Sequence, residues 1–144
     1  MEPITVKYKV LDARAKVPAY ATPGAAAADL CAVLDAPLTV APMQRVLVPT
    51  GLAIELPGAH SVALVYARSG LSIKHGLCMA NGVGVVDSDY RGELKVPMVN
   101  LGGAAVHRSG VHRRLCARRG AGRYPARRGR LWLYRPLKKG TRRK

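Results

Sequence analysis

Hydrophobic and polar residues alternate in short runs over the first hundred positions, and Pro and Gly separate the runs. Ile4, Val6, Tyr8 and Val10 alternate with polar residues, and this period of two predicts a strand with those four side chains facing inward. We expect further strands at residues 38–40, 45–48, 52–56, 62–66, 83–86 and 94–100, and one short helix at residues 69–75. Short strands between closely spaced turns are typical of a sandwich or barrel, so the predicted fold class is all-β.

The pattern changes beyond residue 103, where Arg, Gly, Ala and Pro dominate and no alternation persists. The chain has 144 residues and a formal net charge of +16. Residues 1–103 hold nine basic and eight acidic residues, whereas residues 104–144 hold fifteen basic and none that are acidic. Like charges repel in so uncompensated a segment. We therefore predict a β domain over 1–103 and a disordered basic tail over 104–144.

The basic tail suggests nucleic acid as a partner, because its cations, with Trp132 and Tyr134, could neutralise phosphates and stack on bases. A non-specific role of this kind stays open as an alternative function. No apolar run is long enough for a membrane helix, so we expect no membrane partner. Cys31, Cys78 and Cys116 form neither a disulfide framework nor a zinc spacing, which favours the cytoplasm.

The densest polar cluster is the segment 87–93, Asp-Ser-Asp-Tyr-Arg-Gly-Glu, which follows Val85 and Val86. One interpretation is a solvated hairpin loop. The other places Asp87 at the mouth of a buried strand, where desolvation raises the pKa of a carboxyl and suits it to general-base work. In that interpretation Tyr90 offers a flat ring for a sugar or base.

Two further clusters have polar groups suited to phosphate or metal. Arg68, Ser69 and Gly70 lie where a strand is expected to pass into a helix, and a guanidinium, a hydroxyl and helix N–H groups together suit a phosphate. Taken alone, these residues are better explained as an N-cap serine beside a surface arginine. Asp29 follows four alanines and could cap a turn or help to hold a divalent cation.

In order along the chain, these segments resemble three motifs of the trimeric deoxyuridine triphosphatase (dUTPase) family. Residues 24–30, Gly-Ala-Ala-Ala-Ala-Asp-Leu, are similar to the first motif, with Ala28 where many members have Tyr. Residues 68–71, Arg-Ser-Gly-Leu, resemble the second. Residues 81–94 resemble the third nearly throughout and depart from it at Val83, where Pro is usual.

The resemblance implies an enzyme that hydrolyses dUTP to dUMP and pyrophosphate. Asp87 would be the general base that activates the attacking water. The implied substrate contacts are Arg68, Ser69 and Gly70 to phosphate oxygens, Asn81 and the Val85 and Val86 main chain to uracil, Tyr90 to deoxyribose, and Lys95 at a further contact. Asp29 would hold a Mg²⁺ through water.

The same resemblance implies a jelly-roll-like distorted β-barrel that assembles as a homotrimer with active sites between subunits. A dCTP deaminase shares this fold and is an alternative activity. Such enzymes need a Glu that acts on the base, and the spacing from Asp87 to Tyr90 fits the triphosphatase better.

The fourth and fifth motifs of the family do not occur where they are expected. When the codons of residues 126–135 are read from their second base, with synonymous third bases chosen freely, they spell Arg-Gly-Ala-Gly-Gly-Phe-Gly-Ser-Thr-Gly. This string matches the fifth motif, whose Phe closes over uracil. We therefore hypothesise a frameshift near residues 102–105, and we expect weak or absent turnover from the chain as it stands.

Overall fold

The computed structural model describes residues 5–108, which form ten strands and one short helix. The elements are β1 Lys7–Val10, β2 Ala19–Tyr20, β3 Ala28–Asp29, β4 Leu38–Val40, β5 Arg45–Glu55, β6 Ala63–Tyr66, α1 Ser69–His75, β7 Leu77–Met79, β8 Val83–Val86, β9 Glu93–Asn100 and β10 Val106–Arg108. The prediction of an all-β fold is confirmed, and its single helix has the predicted bounds.

The largest sheet has the order β1-β5-β9-β7, and all its neighbouring strands are antiparallel. Its two long strands, β5 and β9, bury Val48, Leu52, Val96 and Met98 in the core, and each of these side chains is at most 2% exposed. Three smaller two-stranded sheets, β10-β4, β2-β3 and β6-β8, complete the described fold. The candidate site residues lie mainly on β8, beside β6 and on the loop that precedes β9.

Strand β5 corrects one expectation, because the two strands expected at 45–48 and 52–56 are one strand of 11 residues, Arg45–Glu55. The residues between them, which resemble a turn, form an irregularity where the register with β9 shifts between Pro49 and Ala53. Thr50 Oγ1 donates a 2.6 Å hydrogen bond to the Leu94 carbonyl inside the core. The Leu94 carbonyl, 44 residues away along the chain, therefore helps to keep these residues within the sheet. The local sequence around Thr50 gives no sign of this distant partner.

The alternation at the N-terminus also predicts burial incorrectly. Val6 is buried, but Tyr8 is 53% exposed and Val10 is 46% exposed. Strand β1 lies at the edge of its sheet and pairs with β5 alone among the described strands, so both of its faces are open. Ile4 lies outside the described residues.

A buried amide joins the end of β9 to the last described strand. Asn100 is fully buried, and its Nδ2 donates 2.8 Å hydrogen bonds to the carbonyls of Val40 and Ala104. Its Oδ1 accepts a 2.9 Å hydrogen bond from the Gly102 amide. These bonds satisfy the buried amide and hold β4, β9 and the loop after β9 together.

The described fold continues past residue 103, because β10 pairs with β4 through Val106–Val40, His107–Thr39 and Arg108–Leu38. The described strands thus extend five residues beyond the predicted boundary at 103. Residues 109–144, with most of the predicted tail, its aromatic pair and the string that matches the fifth motif, lie outside the described residues. Within residues 5–108, no helix is long and apolar enough to cross a membrane.

Candidate active site

The β6-β8 pair sets the spacing of the candidate residues. The strands are antiparallel, with Tyr66 opposite Val83 and Ala63 opposite Val86. The segment 67–70 that follows β6 and Asn81 that precedes β8 therefore lie toward the same end of this sheet. Asp87 and the loop after β8 lie at the other end, about 13 Å away along four residues of strand.

At the first end, the segment 68–70 begins the helix. Arg68 occupies the N-cap position in extended conformation, and no side chain caps the helix there, so the expectation of an N-cap serine is wrong. Ser69 and Gly70 are exposed and Arg68 is half-buried. Helix α1 has no acidic residue in its first turn, which leaves its exposed N–H groups and the guanidinium without a nearby carboxylate of the helix.

The other end of α1 is fixed against the loop after β9. Gly76 has a φ of 66°, in the left-handed region that favours glycine at helix ends, and its carbonyl accepts a 2.8 Å hydrogen bond from Leu101 N–H. A Cβ at Gly76 would overlap the main chain of Gly102. Since Ser72 Oγ also donates to the Arg68 carbonyl at 3.1 Å, the helix is held at both ends.

Strand β8 has an open edge among the described strands. Asn81 is exposed, and it precedes Gly82, whose φ of 71° allows the tight turn into the strand. Val85 is 61% exposed and Val86 is half-buried. Because β8 has β6 as its one neighbour among the described strands, its other edge leaves main-chain N–H and C=O groups open to a planar ligand.

Asp87 follows β8 directly, as the sequence predicts, but it is exposed. The strand before it is only partly buried, so the desolvation expected at this carboxylate is not provided by residues 5–108 of one chain. Its carbonyl accepts a 3.2 Å hydrogen bond from Tyr90 N–H, which closes a turn. The carboxylate is thus accessible on a defined turn.

The loop 87–93 is ordered by its own side chains. Arg91 Nη1 donates to the carbonyls of Ser88 and Tyr90 at 2.8 and 2.9 Å. The Tyr90 hydroxyl donates a 2.8 Å hydrogen bond to the Glu93 carbonyl. The phenol ring is therefore turned back over the loop and stays 44% exposed on its outer side.

Glu93, for which the sequence alone predicts no role, anchors this loop to the main sheet. Its Oε1 accepts a 2.9 Å hydrogen bond from Gly51 N–H in β5. Its Oε2 lies 3.5 Å from Lys95 Nζ, so the lysine predicted to contact substrate is also paired within the chain. An acidic residue that follows a turn into a strand gives no local signal of such an anchor.

The irregular part of β5 has a second contact, on its other side. Gly51 has a φ of 67°, and its carbonyl accepts hydrogen bonds from the amides of Leu11 and Asp12. Asp12 in turn binds Arg14, which also pairs with Asp35 at 2.7 Å. The side-chain hydrogen bond from Arg14 lowers the pKa of Asp12 to about 2.

Asp29 lies apart from these elements, on β3, where it pairs with Ala19 of β2 and is half-buried. Across residues 5–108, no three His, Cys, Asp or Glu side chains are grouped closely enough to hold a metal ion. A cation near Asp29 would thus take most of its ligands from water or from a bound molecule.

Comparisons with known proteins agree with the three motifs. A family model described as dUTPase matches residues 13–113. A deoxyuridine 5'-triphosphate nucleotidohydrolase of Desulfitobacterium hafniense (strain DSM 10664 / DCB-2) is 58% identical over 99 residues, which cover 69% of this chain. The match spans 66% of that relative, just under two thirds of its length.

Solved structures show the same fold at lower identity. The dUTPase of Staphylococcus bacteriophage 80alpha superposes with a TM-score of 0.72 at 16% identity, covering 97% of this chain and 96% of the phage chain. A point mutant of the dUTPase from phage phi11 of S. aureus, described with a structural Mg(II) ion, gives a TM-score of 0.69 at 16% identity and covers 97% and 96%. At this identity the likeness establishes the fold alone, and it agrees with the expected jelly-roll-like architecture.

Proposed function

Because this chain belongs to the dUTPase family, we propose that it is a dUTP diphosphatase that converts dUTP and water to dUMP and pyrophosphate. The observation that carries the proposal is the ordered loop 87–93, which presents an accessible carboxylate and a fixed phenol ring beside the open edge of β8. By their positions in the third motif, Asp87 and Tyr90 are proposed as the base and the sugar contact. We also propose a cytoplasmic setting, since Cys31, Cys78 and Cys116 form neither a disulfide framework nor a zinc spacing.

Asp87 is proposed as the general base. Its exposed carboxylate would take a proton from a water molecule that attacks the α-phosphorus, and the bond from that phosphorus to the bridging oxygen would break to release pyrophosphate. Bound substrate would supply the desolvation that the single chain does not. In phosphoryl transfer the protein contributes chiefly position and charge neutralisation, which matches a role for Asp87 as base to water.

The base and sugar are proposed to lie along β8. Asn81 and the main chain at Val85 and Val86 would bind the hydrogen-bonding edge of uracil, because this edge of the strand is open among the described elements. Tyr90 would pack against the deoxyribose with its exposed face, as the resemblance implies, and would leave no room for a 2'-hydroxyl. Once bound uracil covers these polar groups, a base that left them without hydrogen bonds would be strongly disfavoured.

The phosphate oxygens are proposed to bind at Arg68, Ser69 and Gly70, where the guanidinium and the open helix end attract anions. Asp29 fits a Mg²⁺ that binds through water, because this ion keeps several waters and often needs one or two carboxylates plus substrate phosphates. When bound, the ion would neutralise charge on the triphosphate. Lys95 would contact substrate by giving up its ion pair with Glu93.

A homotrimer with shared sites is supported by the same geometry. In one chain Arg68 and Asp87 lie near opposite ends of the β6-β8 pair, about 13 Å apart along the strand. A second subunit that places its own arginine near the first subunit's Asp87 would complete the site. Exposed Val83, Val85 and Tyr90 would then be covered by substrate and neighbour.

The test is release of pyrophosphate from dUTP with Mg²⁺ by the full chain, with dCTP as the competing substrate and ammonia release as its readout. We expect dUTP to be the substrate that turns over, slowly in the chain as it stands, and Asp87→Asn to abolish turnover without unfolding the protein. Ammonia release from dCTP would contradict the proposal. Near-normal turnover of dUTP would contradict only the expected loss of activity.

A further inference from the structure

Tyr90 and Gly92 make an unusually close approach in the loop 87–93. A Cβ at Gly92 would lie 2.6 Å from the Tyr90 hydroxyl oxygen and 2.8 Å from Cζ, closer than real Cβ atoms come to a neighbour. The three nearest atoms to that position all belong to Tyr90. The phenol ring thus occupies the space where any other residue at position 92 would place its side chain.

The backbone conformation at residue 92 does not require a glycine. Gly92 does not have a positive φ, whereas Gly51, Gly58, Gly76 and Gly82 all do. An alanine at 92 therefore meets no backbone strain of the left-handed kind. The conflict is confined to the far end of one exposed side chain, which can move without cost to the core.

The remaining contacts of Tyr90 fix the other side of the ring. Its hydroxyl donates to the Glu93 carbonyl at 2.8 Å, and Glu93 is anchored to Gly51 N–H at 2.9 Å. The acceptor is consequently held by the main sheet. The ring rests between this acceptor and the bare Cα of Gly92, and a methyl group there would push it off by about 1 Å to reach ordinary contact distance.

We infer that Gly92 is a specificity-determining positioning residue, which sets the Tyr90 ring where it excludes the 2'-hydroxyl of a ribonucleotide. The inference rests on the proposed function, since it gives the ring a sugar to contact. Gly92 touches no substrate and acts through Tyr90. Displacement of the ring by about 1 Å opens space for the extra hydroxyl and loosens contact with the deoxyribose.

The test compares Gly92→Ala with Gly103→Ala in the full chain. Gly103 is the matched control, because a Cβ there meets no described heavy atom within 4 Å and the residue has no positive φ. Binding of dUMP and UMP is measured by titration calorimetry, which does not depend on turnover. We expect the preference for dUMP over UMP to fall about tenfold or more in Gly92→Ala and to stay unchanged in Gly103→Ala.

A double-mutant cycle with Tyr90→Ala separates this role from a general effect on the loop. If Gly92 acts through the ring, Gly92→Ala has no further effect on the preference once the ring is removed. In the free wild-type protein, NMR should show a nuclear Overhauser effect between the Tyr90 ring protons and the Gly92 α protons. That contact should weaken or change in Gly92→Ala if the ring is displaced.

Several outcomes overturn the inference. The inference is wrong if Gly92→Ala leaves the preference for dUMP over UMP unchanged, or if the losses of preference add in the double variant. In either case a wild-type preference for dUMP leaves the proposed function standing. A wild-type chain that binds dUMP no better than UMP contradicts the proposed function, and the inference falls with it. If Gly92→Ala lowers Tm, the same substitution must lower it no further when Tyr90 is already Ala, and a further loss there also overturns the inference.

Discussion

Gly51 N–H and Glu93 Oε1 are joined by a 2.9 Å hydrogen bond between the irregular part of β5 and the start of β9. These residues are 42 positions apart, and the bond ties the main sheet to the loop that carries Asp87 and Tyr90. Gly51 itself has a φ of 67°, and a Cβ there would lie 2.9 Å from the Cβ atoms of Asp12 and Ala15. Gly51, which donates to Glu93, is therefore also closely packed against Asp12 and Ala15.

Removal of the Glu93 carboxylate should loosen this loop. We expect Glu93→Ala to lower the free energy of unfolding by about 1–2 kcal/mol, because the part-buried Gly51 amide loses its acceptor. Glu93→Gln keeps an acceptor oxygen and should lose less. Urea unfolding of both variants measures this, and equal losses would show that the hydrogen bond is not what stabilises the loop.

The close contact beneath α1 gives a second prediction, on stability. Gly76 and Gly58 both have positive φ, but a Cβ at Gly58 meets open space and one at Gly76 overlaps Gly102. Gly58→Ala should cost about 1–2 kcal/mol from backbone strain alone. Gly76→Ala should cost clearly more, and equal Tm shifts for the two variants would contradict the described approach of the helix to the loop.

Much of the fold follows from local pattern, and what does not depends on distant partners. The bounds of α1, β4 and β8 are those that the sequence predicts. The two-residue strands β2 and β3 are too short to show a period, and β7 and β10 are defined by their neighbours β9 and β4. The sequence indicates a break after Val48 because Pro49 and Gly51 favour a turn, but hydrogen bonds donated by Thr50 and Gly51 to Leu94 and Glu93 keep β5 continuous.

Acid should weaken the contact of the N-terminal loop with β5. The hydrogen bond from Arg14 lowers the pKa of Asp12 to about 2 from an ordinary value of 3.8. A carboxyl with a lowered folded-state pKa contributes stability that is fully present above about pH 4 and is lost as the pH falls toward 2. We expect the Tm of wild type to fall over this window more than that of Asp12→Asn, and parallel pH profiles would contradict this.

The sequence predicts which residues form the candidate site, and the structure differs from it on the exposure of Asp87. The sequence indicates Asp87 and Tyr90 through the third motif, whereas the predicted burial of Asp87 depends on its two apolar neighbours. Val85 is instead 61% exposed, because β8 belongs to a two-stranded sheet with an open edge. Gly92 and Glu93 act on other residues of the loop, and a pattern of residue types does not reveal such contacts.

The reading frame beyond residue 105 is directly testable. We expect the nucleotide sequence across residues 100–125 to contain a shift, with the fourth and fifth motifs in the adjacent frame. A protein made from the restored frame should hydrolyse dUTP ~100-fold faster or more, because the closing loop is regained. Asp87→Asn in the restored protein is the control, and an uninterrupted frame without these motifs beside it would refute the hypothesis.

Strand β10 pairs with β4 mainly through main-chain alignment. Its three register pairs are aligned along the main chain, and the Asn100 amide reaches the carbonyl of Ala104 without regard to that residue's side chain. Val106 is its single buried side chain. The strand adds one side-chain contact, since His107 Nδ1 lies 3.0 Å from Thr39 Oγ1. Main-chain pairing, one buried valine and this contact thus complete the last described edge of the fold.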